Sequence, residues 1–177
     1  MKKTVTSLLL LVGMAQAEGV YVGYDYLANV NYDKSGVNKD FDVTAFTWKV
    51  GYDLNSYFGV EARVGLGVDN DTKQNLITDV GLGLTTATVE LNRLYSLLLK
   101  GSYPLVEGLK VNGYVGGSRV KFLVDSNQNY YSENSDSSFT VGVGLSYDIN
   151  EKVSLNADYM AYTKNVKAMQ IGIGFRF

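Results

Sequence analysis

Few residues in this 177-residue chain can do chemistry, because it has neither histidine nor cysteine. Without an imidazole there is no Ser-His-Asp triad, no histidine metal ligand and no histidine general base. Without a thiol there is no disulfide, no thiolate zinc site and no cysteine nucleophile. Glu61 and Arg63 come nearest to an acid–base pair, but neighbouring charges on one face of a strand are more often an ion pair than a catalytic site. We therefore do not expect an enzyme.

The sequence also lacks a clear site for a metal, a cofactor or nucleic acid. Asp69, Asn70 and Asp71 resemble part of a calcium loop, yet the glycine and the distant glutamate of an EF-hand are missing. The formal net charge is −2, and no run of Lys or Arg can track phosphates. We predict no metal site, no cofactor and no nucleic-acid partner.

The first residues have the pattern of a secretory signal peptide. A basic start (MKK) precedes the apolar run at 8–12, and Ala15 and Ala17 form the small-x-small pattern that a signal peptidase cuts before Glu18. The alternative is a membrane anchor, but the apolar run is much shorter than the roughly 20 residues that a spanning helix needs. We expect 1–17 to be removed and 18–177 to fold as one exported domain.

After residue 18, apolar and polar residues alternate with period 2, which predicts β-strands. In the clearest segment, residues 139–149, one face carries Phe, Val, Leu, Tyr and Ile while the other carries Thr, Gly, Ser and Asp. Six segments alternate well, at about 20–26, 46–52, 58–68, 139–149, 153–161 and 169–177, and two alternate less cleanly, at 88–103 and 109–124. The alternation therefore predicts eight strands.

The two less regular segments each carry an ambiguity. Leu91, Leu94 and Leu98 are spaced as on a helix face, although residues 95–100 alternate as in a strand, and we predict a strand. In the next segment the alternation changes phase near glycines 116–117. Paired glycines at such a point predict a β-bulge or a sharp bend there.

Connection lengths predict how the strands are joined. Short turns are expected at 53–57, 104–108 and 150–152, and longer polar loops at about 31–40, 69–85, 125–137 and 163–167. This alternation is typical of an up-and-down meander, and strands of about 10 to 14 residues can cross a hydrocarbon layer when tilted. The predicted fold is all-β, an eight-stranded antiparallel up-and-down transmembrane β-barrel.

The composition of the two faces indicates that the apolar face is the outer one. A soluble periplasmic lipid-binding barrel is the alternative, but its outer polar face would be rich in Lys, Glu and Asp, and here that face is mainly Gly, Ser, Thr and Asn. Aromatic residues gather near the short turns and the chain end, as expected of a girdle at the lipid headgroups: Tyr52, Tyr57, Phe58, Tyr103, Tyr147, Phe175 and Phe177.

With its signal, eight segments and final strand ending in Phe, the chain resembles the small outer-membrane β-barrel family of OmpA-barrel, OmpX and opacity-protein type. The resemblance implies the bacterial outer membrane as location, outer-membrane lipid and lipopolysaccharide as surroundings, and a monomer. It also implies that the barrel-assembly machinery reads the alternating C-terminal residues Ile171, Ile173, Phe175 and Phe177.

Charged residues on the polar face are expected inside the barrel: Asp25, Lys49, Glu61, Arg63, Lys100, Lys110, Arg119, Lys121, Asp148, Asp158 and Arg176. Buried charges need partners, and an eight-stranded interior is just wide enough for its own side chains. We predict a salt-bridged, filled interior and, from the family resemblance, a structural or surface-interaction role such as adhesion or envelope integrity. A narrow pore for small solutes is the alternative function.

Overall fold

The computed structural model describes the backbone at residues 19–32, 41–78, 81–126 and 130–177, and the side chains at 19–28, 44–68, 91–121 and 135–177. It contains eight strands: β1 (Val20–Tyr32), β2 (Phe41–Asp53), β3 (Phe58–Thr78), β4 (Gly81–Val106), β5 (Leu109–Ser126), β6 (Tyr130–Asp148), β7 (Val153–Thr163) and β8 (Val166–Arg176). Each strand pairs antiparallel with the next, and β1 pairs with β8 to close the barrel. The predicted eight-stranded up-and-down barrel is confirmed.

Three tight connections join the strands at one end of the barrel. Asn55 and Asn150 play the same part in two of them, because each side-chain oxygen accepts hydrogen bonds from the backbone N–H groups two and three residues later. In the third, Glu107 and Gly108 form a two-residue turn, and the φ of +77° at Gly108 favours glycine. Local sequence therefore determines the conformation of the turns at this end of the barrel.

The helix-like spacing of leucines in β4 comes from a β-bulge in a strand, not from a helix. Residues 81–106 form a strand, and its pairing with β5 shifts between Leu91 and Arg93. One extra residue at this bulge keeps Leu91, Leu94 and Leu98 on the same inward face, where all three are buried. The bulge expected at glycines 116–117 is wrong, because the β5–β6 register runs without a shift from Leu109 to Ser126.

Several expected loops are strands. The β3–β4 pairing continues to Thr78 and Gly81, and the β5–β6 pairing continues to Ser126 and Tyr130. Two long hairpins therefore take the place of the polar loops expected at 69–85 and 125–137. The β7–β8 connection is a turn at 164–165 rather than a longer loop. In the first expected loop, 33–40 lies outside the described residues.

The outer wall is apolar from the short-turn end upward. Large hydrophobic side chains are exposed on all eight strands, among them Trp48, Leu97, Val143 and Ile171, and the seven aromatic residues of the expected girdle are exposed as well. A soluble barrel would place this surface in water, so the soluble alternative is not favoured. Among the described residues there is no helix long and apolar enough to cross a membrane.

Candidate functional site

The middle of the barrel holds a layer of buried ion pairs, which we call the ion-pair layer: Asp25, Lys49, Glu61, Arg63 and Asp158. Lys49 Nζ lies 2.7 Å from Asp25 Oδ1, and Arg63 bridges two carboxylates, with Nε 2.5 Å from Glu61 and Nη2 3.1 Å from Asp158. The side chains come from β1, β2, β3 and β7, so the layer ties opposite walls together. All five are almost completely buried.

Two tyrosines complete the ion-pair layer. The Tyr21 hydroxyl donates a hydrogen bond of 2.6 Å to Glu61, and the Tyr114 hydroxyl donates one of 3.3 Å to Asp158. The Tyr114 ring also lies under the Arg63 guanidinium, with the Cζ atom 4.7 Å from the ring centroid. A buried charge is tolerated when it is paired and hydrogen-bonded, and this network supplies both conditions.

Glycines make room for the buried carboxylates. Gly172 is the cross-strand partner of Asp25, and Gly144 is the partner of Asp158. A Cβ on either glycine would overlap the Oδ1 atom of the facing carboxylate. The small residues of the inner face therefore fit its large charged residues in a narrow interior.

An apolar layer fills the interior on the long-hairpin side of the ion pairs, a feature that the sequence interpretation missed. Its members are fully or almost fully buried: Leu27, Ala45, Leu91, Leu94, Val120, Met160, Tyr162, Val166 and Ala168. Ser96, Ser118 and Thr140 lie among them and are joined by hydrogen bonds of 2.7 and 2.6 Å. The three-residue spacing of Leu91 and Leu94 in β4 was the available signal, but it places both residues on one face of a strand only when the bulge is known.

Below the ion pairs, a cavity of about 420 Å³ opens at the short-turn end. Three further ion pairs line it: Lys100 with Asp53 at 2.6 Å, Arg176 with Asp53 at 3.3 Å and Lys110 with Asp148 at 2.7 Å. Its innermost lining includes Lys49, Glu61 and Tyr114. The cavity thus reaches the ion-pair layer from one side.

Most of the expected interior charges lie inside the barrel, but two do not. Arg119 is exposed and Lys121 is half-buried, and both share the outer face because Val120 between them is completely buried. The expectation assumed a bulge in β5, and without it the alternation continues and turns both side chains outward. Asp53, which accepts two of the ion pairs at the mouth, was not foreseen.

The other predicted positions fall into two groups. The C-terminal residues Ile171, Phe175 and Phe177 are exposed on the outer wall, and Ile173 is half-exposed there. Ala15, Ala17 and Glu18 lie outside the described residues, as do the side chains of 69–71. Within the described part of the chain, no group of three or more Asp or Glu residues is placed to hold a metal ion.

A closed antiparallel barrel with an apolar outer wall, an aromatic girdle and a charged interior defines a transmembrane β-barrel. The chain belongs to the outer membrane protein beta-barrel domain family, which it matches over residues 4–177. It is a protein of the bacterial outer membrane.

Solved structures with low sequence identity share the fold. Ail, the attachment invasion locus protein of Yersinia pestis, is 19% identical with a TM-score of 0.60, covering 91% of this chain and 100% of that chain. Neisserial surface protein A is 18% identical with a TM-score of 0.62 (90% and 98%). OprG of Pseudomonas aeruginosa is 14% identical with a TM-score of 0.61 (93% and 98%). Ail is also known in complex with the heparin analogue sucrose octasulfate. A search of curated proteins gave no match.

Proposed function

We propose that this protein is a barrel with a filled interior that has a structural or surface-interaction role in the cell envelope. The observation that carries the proposal is the filling itself: the ion-pair layer and the apolar layer follow each other along the barrel axis. A solute would have to separate buried ion pairs and then cross a zone without charge, and both steps are costly. The surfaces left for function are the outer wall and the long hairpins.

The two long hairpins support contact at the cell surface. In barrels of this class the longer connections face the outside of the cell, whereas the short turns face the periplasm. The β3–β4 and β5–β6 hairpins extend away from the short-turn end, and their strands stay paired as far as Thr78 and Ser126. The attachment and surface-protein names of two structural neighbours point the same way.

We further propose that the barrel has no catalytic activity and that it works as a monomer. The charged groups of the interior are engaged with one another, and no neighbour described above is named as an enzyme. For biogenesis we infer removal of 1–17 and reading of Ile171, Ile173, Phe175 and Phe177 by the barrel-assembly machinery. Ile171, Ile173 and Phe175 alternate outward on the last strand and Phe177 is exposed directly after it, which supports that reading.

A narrow pore is the second candidate, and two observations favour it. The cavity at the short-turn end already reaches the ion-pair layer. In and beside that layer, Asp25 Oδ2, Thr47 Oγ1, Arg63 Nη1 and Gln170 Nε2 are buried and have no hydrogen-bond partner in the structure. Buried polar atoms of this kind commonly bind water, which would extend the wet region toward the apolar layer.

Single-channel recording in planar bilayers separates the two candidates. We expect the wild-type protein to show no large, steady open state. Leu94→Ala removes volume from the apolar layer, and Leu97→Ala is its matched control because Leu97 is 69% exposed on the lipid face. Brief openings that appear with Leu94→Ala alone would identify the apolar layer as the barrier. Steady open states in the wild type would overturn the filled-barrel proposal in favour of the pore.

A second experiment tests the surface role. Val124 and Ser132 are directly paired, so replacing 125–131 with an Asn-Gly turn shortens the β5–β6 hairpin without changing its register. In a deletion strain, this variant should restore resistance to detergents but fail to restore adhesion to host cells or matrix. Full restoration of both properties would exclude the hairpin tip as the contact surface.

A further inference from the structure

Cations outnumber carboxylates at the mouth of the cavity that opens at the short-turn end. Asp53 is shared between two of them, because its Oδ1 atom lies 2.6 Å from Lys100 Nζ and its Oδ2 atom lies 3.3 Å from Arg176 Nη2. The third cation of the mouth, Lys110, has a carboxylate of its own in Asp148 at 2.7 Å. Lys100 and Arg176 therefore have one counter-ion between them.

These two cations have donors available for a second anion. An ammonium carries three N–H donors and a guanidinium carries five, and the structure gives Lys100 and Arg176 one oxygen each of Asp53. The Arg176 side chain is 39% exposed, and a guanidinium can bind a carboxylate with two parallel hydrogen bonds. Lys100 Nζ also lies 4.1 Å from the centroid of the Tyr21 ring, which stabilises a cation that shares its counter-ion. Since both cations contact Asp53, one further carboxylate can contact both.

Much of the remaining cavity wall offers hydroxyl and amide groups. The Ser102 hydroxyl donates a hydrogen bond of 2.8 Å to Asn112 Oδ1, and Asn112 Nδ2 donates one of 3.0 Å to the Ser146 hydroxyl. Ser146 is directly paired with Asn156, whose Nδ2 atom has no hydrogen-bond partner in the structure, so this amide can turn toward a ligand without losing a bond there. With Ser154, these groups form a polar arc along the cavity that matches ligand hydroxyls.

We propose that this cavity binds a small sugar acid from the periplasm, with the carboxylate on Arg176 and Lys100 and the hydroxyls on the polar arc. A monoanion supplies the one negative charge that the mouth lacks. A ligand cation is disfavoured, because Asp53 and Glu61 already use both oxygens. The volume of about 420 Å³ falls within the range of small-molecule sites, about 300–1,000 Å³.

The direction of access follows from the fold. The cavity opens among the short turns, which face the periplasm in barrels of this class. Its inner end is closed by the ion-pair layer, so a bound molecule stays at the mouth and does not cross the barrel. The site is therefore independent of the structural or surface role proposed above.

The test titrates the folded mature protein in zwitterionic micelles with methyl β-glucuronide and follows the amide NMR spectrum. Methyl β-glucoside is the matched neutral probe, because it carries a CH₂OH group where the glucuronide carries a carboxylate. Arg176→Gln removes the exposed cation, and Asp53→Asn removes the carboxylate that competes with the ligand. Lys164→Gln is the charge control, because Lys164 is exposed at the opposite end of the barrel. A heat-modifiable gel shift confirms that each variant is folded.

We expect saturable shifts of the amides around the cavity with the glucuronide and about tenfold weaker binding of the glucoside. Affinity for the glucuronide should fall about tenfold in Arg176→Gln, because a charge-assisted hydrogen bond is lost. It should rise about threefold in Asp53→Asn, because both cations become available, and stay unchanged in Lys164→Gln. Rising salt should weaken binding. Equal affinity for the two glycosides, no saturable shift, or weaker binding by folded Asp53→Asn would overturn the proposal.

Discussion

Arg63 is the position where one substitution should have the largest effect on folding stability. Its guanidinium contacts Glu61 at 2.5 Å, Asp158 at 3.1 Å and the Tyr114 ring at 4.7 Å, and the side chain is 1% exposed. Arg63→Met keeps most of the volume but leaves two buried carboxylates without this cation. Breaking a buried ion pair by removing one partner costs about 3–5 kcal/mol. We expect a loss of this size in the free energy of unfolding.

The assay is equilibrium unfolding in urea with the protein folded into lipid or detergent. Trp48 is the only tryptophan and is exposed on the lipid face, so its fluorescence reports insertion, and the heat-modifiable band gives the folded fraction independently. Linear extrapolation then gives the free energy of unfolding in water. Lys164→Met is the control, because Lys164 is exposed at the β7–β8 turn, and we expect a change within about 0.5 kcal/mol.

A neutralised variant separates the loss of charge pairing from a failure of packing. In Glu61→Gln/Arg63→Met/Asp158→Asn the buried charges around Arg63 are removed together, and replacing a complete buried network is often neutral or stabilising. We expect its stability to return to within about 1.5 kcal/mol of the wild type. If Arg63→Met itself unfolds at the wild-type urea concentration, the ion-pair layer is not what stabilises the interior, and the reasoning is refuted.

Two further predictions concern the wall. Gly172→Ala should destabilise the barrel by about 1–3 kcal/mol, because its Cβ meets the Asp25 carboxylate, whereas Gly113→Ala has open space and should be neutral or stabilising; the urea assay compares them, and equal effects would contradict the steric argument. Phe177→Ser should lower the amount of folded protein in the outer membrane more than Phe58→Ser, although both side chains are exposed in the girdle. Equal losses in fractionated cells would assign Phe177 to the lipid face alone.

The sequence was sufficient for the barrel because period-2 alternation and turn chemistry are local properties. The polar side chains of Asn55 and Asn150 and the glycine at position 108 mark the short turns without any tertiary information. The period-2 pattern was weakest at Leu91 and Leu94, where one extra residue increases the spacing of inward-facing residues from two to three. A bulge is specified by the pairing of two strands, so a single sequence shows that the phase has changed but not which strand carries the extra residue.

That one misplacement accounts for the two interior charges that were assigned wrongly. Assigning the bulge to β5 turned Arg119 and Lys121 inward and Val120 outward, and the reverse holds in the structure. The same shift hid the apolar layer, because its leucines were read as a possible helix face. Individual ion pairs were also beyond reach, since Arg63 and Asp158 are 95 residues apart and meet only when the barrel closes.

The pairing of the long hairpins bears on how this protein can bind a partner. A flexible loop loses conformational entropy when a partner orders it, and that loss reduces affinity. In the β5–β6 hairpin each residue from Lys121 to Ser126 already has a cross-strand partner, so the backbone order is established before any contact. Affinity then depends on the side chains presented along a fixed ribbon. It follows that substitutions on one face of the ribbon should affect binding with a period of two residues, whereas a loop that folds on contact would show no such period.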